Sequence, residues 1–159
     1  MNRKIHVGLL TAVIFLACGL VIYITQMVEK GSVVLTCDGS KYELPGTEKT
    51  RYCNGKSESL SAEESFEDLL SSVPSFNIKA DVDKDGNVTL ISPMSVEVTG
   101  LLLGDVLYTF YSYDGKVRAN ESKKLELPKE DIDGCLVKIK ITWGKKDTSY
   151  LEEDYWFAA

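Results

Sequence analysis

Twenty-three consecutive residues, Ile5 to Met27, contain no acidic side chain, lysine or arginine, and His6 is the one side chain among them that titrates near neutral pH. About 20 apolar residues cross a bilayer as a helix, so this run reads as a transmembrane span and constrains the remainder of the chain. Residues 1–4 include Arg3 and Lys4, and positive flanks stay cytoplasmic. The expectation is a single-pass signal-anchor over 5–27 with a short cytoplasmic tail, which places residues 28–159 outside the cytoplasm, on the cell-surface side. A cleaved secretory signal would have a shorter core and a small-x-small site, whereas here the apolar run continues through Gly19–Ile24. A lipid-modified Cys18 is a competing reading, but Phe15 and Leu16 fit a lipoprotein box badly.

Charge is divided unevenly by that span. All 24 acidic residues and 16 of the 18 lysines and arginines come after it, a net of −8. Without a basic stripe to neutralise phosphates, nucleic acid is excluded as a partner. The 132 residues after Met27 suit one compact domain.

Outside the cytoplasm, cysteines tend to pair. Cys37 and Cys53 bracket a turn-rich stretch and read as a disulfide closing a loop, worth about 3 kcal/mol in the chain-entropy account. Cys37–Cys135 and Cys53–Cys135 are the alternative pairings. A zinc site is disfavoured, because no Cys-x-x-Cys occurs and no histidine lies beyond the span.

Gly31–Asp38 reads as a strand closed by an Asp38-Gly39 turn, and 45–60 as a loop or small hairpin. Ser61 and Glu64 have capping-box spacing ahead of Phe66, Leu69, Leu70 and Val73, which predicts an amphipathic helix ended by Pro74. From Ser75 the period changes to two. Residues 76–82 and 87–91 form a hairpin about Asp83–Gly86, and further strands are expected at 95–99, 106–113, 116–119, 124–127, 136–142 and 150–157. Eight short strands with regular turn signals predict a mainly β chain, an antiparallel sandwich. The division expected is a disulfide-braced loop region with a short helix over 28–75 and the sandwich over 76–159.

Val98-Thr99-Gly100, the aromatic strand Leu107-Tyr108-Thr109-Phe110-Tyr111 and the turn Asp114-Gly115 are succeeded by Leu125-Glu126-Leu127, Asp131 and Val137-Lys138-Ile139-Lys140-Ile141-Thr142. In that order they resemble the immunoglobulin-like repeats of bacterial surface proteins, over roughly residues 87–157. The resemblance implies an immunoglobulin-like β-sandwich in an envelope protein, used as a spacer, adhesion or assembly module. It implies no active site.

Asp81-x-Asp83-x-Asp85-Gly86 has the first half of a calcium-loop pattern, but Ser92 stands where the bidentate Glu belongs. A solvated hairpin turn is the simpler reading of the three aspartates, with calcium the alternative and no other cofactor expected. His6 at the membrane edge rules out histidine-dependent nucleophilic catalysis in the outer part. Glu63-Glu64 and Glu152-Glu153-Asp154 read as solubilising charge, so no enzyme is expected. Tyr111, Tyr113, Trp143 and Tyr155 are the candidate binding residues, since exposed rings offer large contact area, while Phe110 and Trp156 are assigned to the core. The function expected is non-catalytic binding or adhesion to an envelope polymer or a protein partner. The alternative is an accessory or sensor subunit whose span packs on another membrane protein.

Overall fold

In the computed structural model the described residues are 13–16, 28–53, 55–60, 65–77, 80–85, 88–90, 94–127, 134–145 and 149–159. Eleven strands lie among them: β1 Ser32–Cys37, β2 Ser40–Glu43, β3 Gly46–Cys53, β4 Lys56–Ser59, β5 Ala80–Val82, β6 Val88–Leu90, β7 Met94–Thr99, β8 Leu107–Tyr111, β9 Val117–Ser122, β10 Leu136–Lys145 and β11 Ser149–Ala158. A seven-residue helix, α1, spans Phe66–Ser72.

All strand pairs in the sheets are antiparallel. A six-stranded sheet has the order β4-β3-β11-β10-β8-β9, a three-stranded sheet the order β2-β1-β7, and β5-β6 form a separate hairpin. The chain is therefore mainly β and built from two packed antiparallel sheets. In the larger sheet, period-two alternation turns Val137, Ile139, Ile141 and Trp143 of β10 inward beside Leu151, Tyr155 and Phe157 of β11. Val33 and Leu35 of β1, with Val96 and Val98 of β7, close the same core from the smaller sheet. Phe110 of β8 is fully buried at its centre.

Several local expectations hold. Asp38 and Gly39 both take positive φ, 50° and 76°, which suits the two-residue turn joining β1 to β2. The hairpin about residues 83–86 pairs Ala80 with Leu90 and Val82 with Val88. Val73 ends α1 in an extended conformation just before Pro74. The N-cap is Ser65, whose side chain accepts from the Asp68 N–H at 3.2 Å, rather than Ser61. Ser61 and Glu64 lie outside the described residues.

The small hairpin expected over residues 45–60 is β3 and β4. β3 also pairs with β11 inside the large sheet, while β1 pairs with β7 in the small one, so strands from residues 28–75 lie in the same two sheets as strands from 76–159. The period-two signal of β3 is weak because no residue of that strand is buried. One expectation is corrected: residues 124–127 are not a strand, and the strand expected at 116–119 is β9, which runs from Val117 to Ser122.

Residues 13–16 are helical, with Val13, Ile14, Phe15 and Leu16 all exposed. The rest of the run from Ile5 to Met27 lies outside the described residues, among which no helix is long and apolar enough to cross a membrane.

Because Phe110 sits at the centre of the core, Phe110→Ala should cost about 3–5 kcal/mol of unfolding free energy in urea denaturation. Lys56→Ala on exposed β4 should stay within about 0.5 kcal/mol.

Candidate functional site

Along β11 the inward positions are Leu151, Glu153, Tyr155 and Phe157, so a carboxylate occupies a core register. Glu153 is only 2% exposed. Burying an ion costs several kcal/mol unless its oxygens are satisfied, and here both are. Trp143 Nε1 and the Tyr155 hydroxyl donate to Oε2 at 2.7 and 2.6 Å, while Lys30 Nζ lies 2.8 Å from Oε1. Hydrogen bonds to a charged group contribute roughly 1.5–3 kcal/mol each, so three offset a penalty of that order.

The backbone places these partners. Tyr155 lies two residues beyond Glu153 on the same face of β11, and Trp143 lies on neighbouring β10, where it pairs with Leu151. On the other side, a register shift between Glu152 and Glu153 sets Glu153 directly opposite Glu48 of β3. Two carboxylates facing each other repel, and Lys30 sits between them, 2.5 Å from Glu48 Oε1. Arg51 extends the chain of alternating charge, 2.8 Å from Glu48 Oε2. Burial opposes the Lys30 ammonium, but its hydrogen bonds to Glu153 and Glu48 prevail and raise its pKa. The hydrogen bond from Lys30 likewise lowers that of Glu48. Burial and the bond to Glu153 hold the Tyr155 hydroxyl well above the ordinary phenol range.

Beside this network lies an open cavity of about 420 Å³, lined among others by Lys30, Ser32, Glu43, Gly46, Glu153 and Tyr155. Ser32 and Lys30 of its lining are already engaged, since Ser32 Oγ is 2.7 Å from Thr99 Oγ1 and Lys30 is held by two carboxylates.

Of the four candidate binding residues, Trp143 and Tyr155 are buried within this network and present no ring to a partner. Tyr113 is 46% exposed, with its hydroxyl 3.4 Å from the Ala159 carbonyl. Tyr111 is half-buried on the outer face of the large sheet, its ring 5.6 Å from that of Trp156. Trp156, expected in the core, is half-buried on that outer face instead, with Lys138 Nζ 5.7 Å above its ring. Farther along the face Tyr52 stacks on Tyr150 at 4.9 Å. Glu152 and Asp154 lie between Tyr150 and Trp156 on this face of β11, with Lys138 and Lys140 beside them on β10.

The expected Cys37–Cys53 bridge is not formed. Both are thiols, Cys37 at the end of β1 in the small sheet and Cys53 at the end of β3 in the large one, and the stretch between them is braced by sheet pairing instead. Burial raises the pKa of the Cys37 thiol. In the aspartate hairpin, Asp83 Oδ1 accepts the Asp85 backbone N–H at 2.9 Å, which is the geometry of a turn. The Asp81 side chain and Gly86 lie outside the described residues, among which no three acidic, histidine or cysteine groups converge on a metal position.

The Glu153 network was missed from sequence because Glu152-Glu153-Asp154 reads as a solvated run. The signal was nonetheless present: Leu151, Glu153, Tyr155 and Phe157 alternate, which puts Glu153 in phase with the apolar positions.

Glu153→Ala should destabilise the protein by roughly 2–4 kcal/mol in urea denaturation, since Trp143 and Tyr155 lose their acceptor. Glu153→Gln, which keeps an acceptor oxygen, should lose less. The stability of the native protein should also depend on pH in a defined window. Glu48, lowered from 4.5, contributes above that value and loses its contribution as pH falls through the lowered pKa. Lys30, raised from 10.5, contributes below that value and loses its contribution as pH rises through the raised pKa. Burial raises the pKa of Asp154, which works against Glu48 on the acid side. The buried Cys37 thiol, raised from 9.0, costs stability once the unfolded thiol ionises above that value. Melting temperature is therefore expected to be flat between about pH 5 and 9 and to fall on both sides, and Lys30→Met should lower the plateau and flatten the acid limb.

No family model, no curated protein and no solved structure matches the chain.

Proposed function

We propose that this chain is a single-pass membrane protein, held by a signal-anchor over residues 5–27, whose extracytoplasmic immunoglobulin-like sandwich binds a protein partner without catalysis. The observation that carries the anchor is the exposure of Val13, Ile14, Phe15 and Leu16, four successive helical residues. Four successive residues cover every side of a helix, so this turn is apolar all round, as a helix in lipid is and a surface helix is not. Two packed antiparallel sheets support the immunoglobulin-like reading of the outer part.

The binding face in this reading is the outer surface of the six-stranded sheet. Tyr111 with Trp156 and Tyr52 with Tyr150 make two ring pairs separated by lysines and carboxylates. Half-exposed Tyr and Trp beside charged groups of both signs is the composition of a protein-binding surface. The net charge of −8 outside the span disfavours an anionic envelope polymer.

Two measurements test the reading. Residues 1–159 should remain with membranes after carbonate extraction while 28–159 is recovered in the soluble fraction. Recovery of the full chain there removes the anchor. The double variant Tyr150→Ala/Trp156→Ala should keep a melting temperature near that of the wild type and lose a partner cross-linked to the full chain in its native envelope. A partner retained by that variant moves the interface elsewhere, and cross-linking to isolated wall polymer in place of protein replaces the partner class.

A further inference from the structure

Exposed leucines stand at one end of the sandwich. Leu101 is 51% and Leu102 37% exposed, in the segment between β7 and β8. That segment is not a loose loop. The Leu103 N–H donates to the Thr142 carbonyl at 2.7 Å, the Gly144 N–H donates to the Leu101 carbonyl at 2.9 Å, and Leu102 forms an antiparallel bridge with Trp143. The backbone is therefore fixed to β10, and the two side chains are held outward against the hydrophobic effect.

The same end receives the chain from the apolar run. Gly31 and Gly100 are in such close contact that a Cβ on Gly100 would fall 2.7 Å from the Gly31 Cα, and one on Gly31 would fall 1.6 Å from the Thr99 carbonyl oxygen. Lys30 is in turn secured by its ion pairs with Glu48 and Glu153. Met27, the last residue of the run, is four residues from Gly31. Fully extended, four residues reach at most about 14 Å. A span ending at Met27 thus keeps the Gly31–Gly100 junction, and Leu101 beside it, within about 14 Å of the end of the span. Asp105 of this segment is paired to Lys123 at 2.5 Å, and the exposed Glu29 that precedes the junction is the anion a lipid contact there has to leave in the aqueous layer.

We infer that Leu101 and Leu102 enter the bilayer interface and form a second membrane contact that fixes the tilt of the sandwich. The inference rests on the anchored reading, to which it adds a contact made by the β domain itself. A surface leucine pair beside a membrane anchor buries its apolar area in the acyl boundary, as interfacial segments do.

The test uses the full chain in phosphatidylcholine liposomes with and without lipids brominated on their acyl chains, which quench tryptophan on contact. Leu101→Trp and Leu102→Trp each add a reporter at an exposed position, so neither has to be accommodated in the core. Val117→Trp is the control, because Val117 is 55% exposed and pairs with Tyr111, which pairs with Leu136, seven residues along β10 from Trp143. That places it about 23 Å away along the sheet. The expected result is loss of the added fluorescence in brominated liposomes for Leu101→Trp or Leu102→Trp and no loss for Val117→Trp. Insertion of the full chain with no quenching at either leucine position, or with equal quenching at Val117→Trp, overturns the contact and leaves the anchor standing. Failure of the full chain to enter liposomes overturns both.

Discussion

A carboxylate inside the sandwich is the constraint on which the remaining geometry depends. Glu153 occupies a position that alternation would assign to an aliphatic residue, and its burial is tolerable only with all three donors in place. Each donor comes from a different part of the chain: Trp143 from β10, Tyr155 from β11 and Lys30 from the segment leading into β1. Ion pairs of this kind contribute little net stability compared with a well-packed apolar core. Their effect is on selection among alternatives, because a misfolded arrangement that buries Glu153 without Lys30 leaves an unpaired charge in a medium where that costs several kcal/mol.

Register shows where this selection acts. A one-residue slip of β11 would turn Leu151, Tyr155 and Phe157 to the outer face along with Glu153. Between β11 and β3 the register does shift, at Glu152 and Glu153, and the shift brings Glu48 opposite Glu153. Without a cation the pair would repel, so the irregularity and Lys30 belong together. The ammonium also joins the two sheets, since Lys30 precedes the first strand of the small sheet while Glu48 and Glu153 lie in the large one.

Legibility from sequence depended on the strength of local signals. β10 was plain because its alternation of valine and isoleucine with lysine has one clearly apolar face. The turn at Asp38-Gly39 was plain because few residues adopt positive φ there. β3 was less so: Gly46–Cys53 contains no buried residue, and its place beside β11 is set by long-range pairing that leaves no local periodicity. The cysteines misled for a related reason. Sequence separation gives the length of a loop but not which sheet holds each end, and Cys37 and Cys53 ended in different sheets. Trp143 and Tyr155 read as binding residues in sequence and are buried as donors to Glu153, because an aromatic ring with a polar edge serves a buried carboxylate as well as a ligand.

In the proposed anchored reading, the position of Lys30 has a mechanical consequence. A folded module on a flexible tether can take any orientation to its membrane, whereas Lys30 is held by Glu48 and Glu153 only three residues after Met27, where the apolar run ends. Val28 packs against the core as well. On that reading the ion pair with Glu153 sets the point at which the chain leaves the sandwich, and the contact proposed for Leu101 and Leu102 sets the tilt about that point. The buried carboxylate that organises the core then also limits how an anchored domain can be presented.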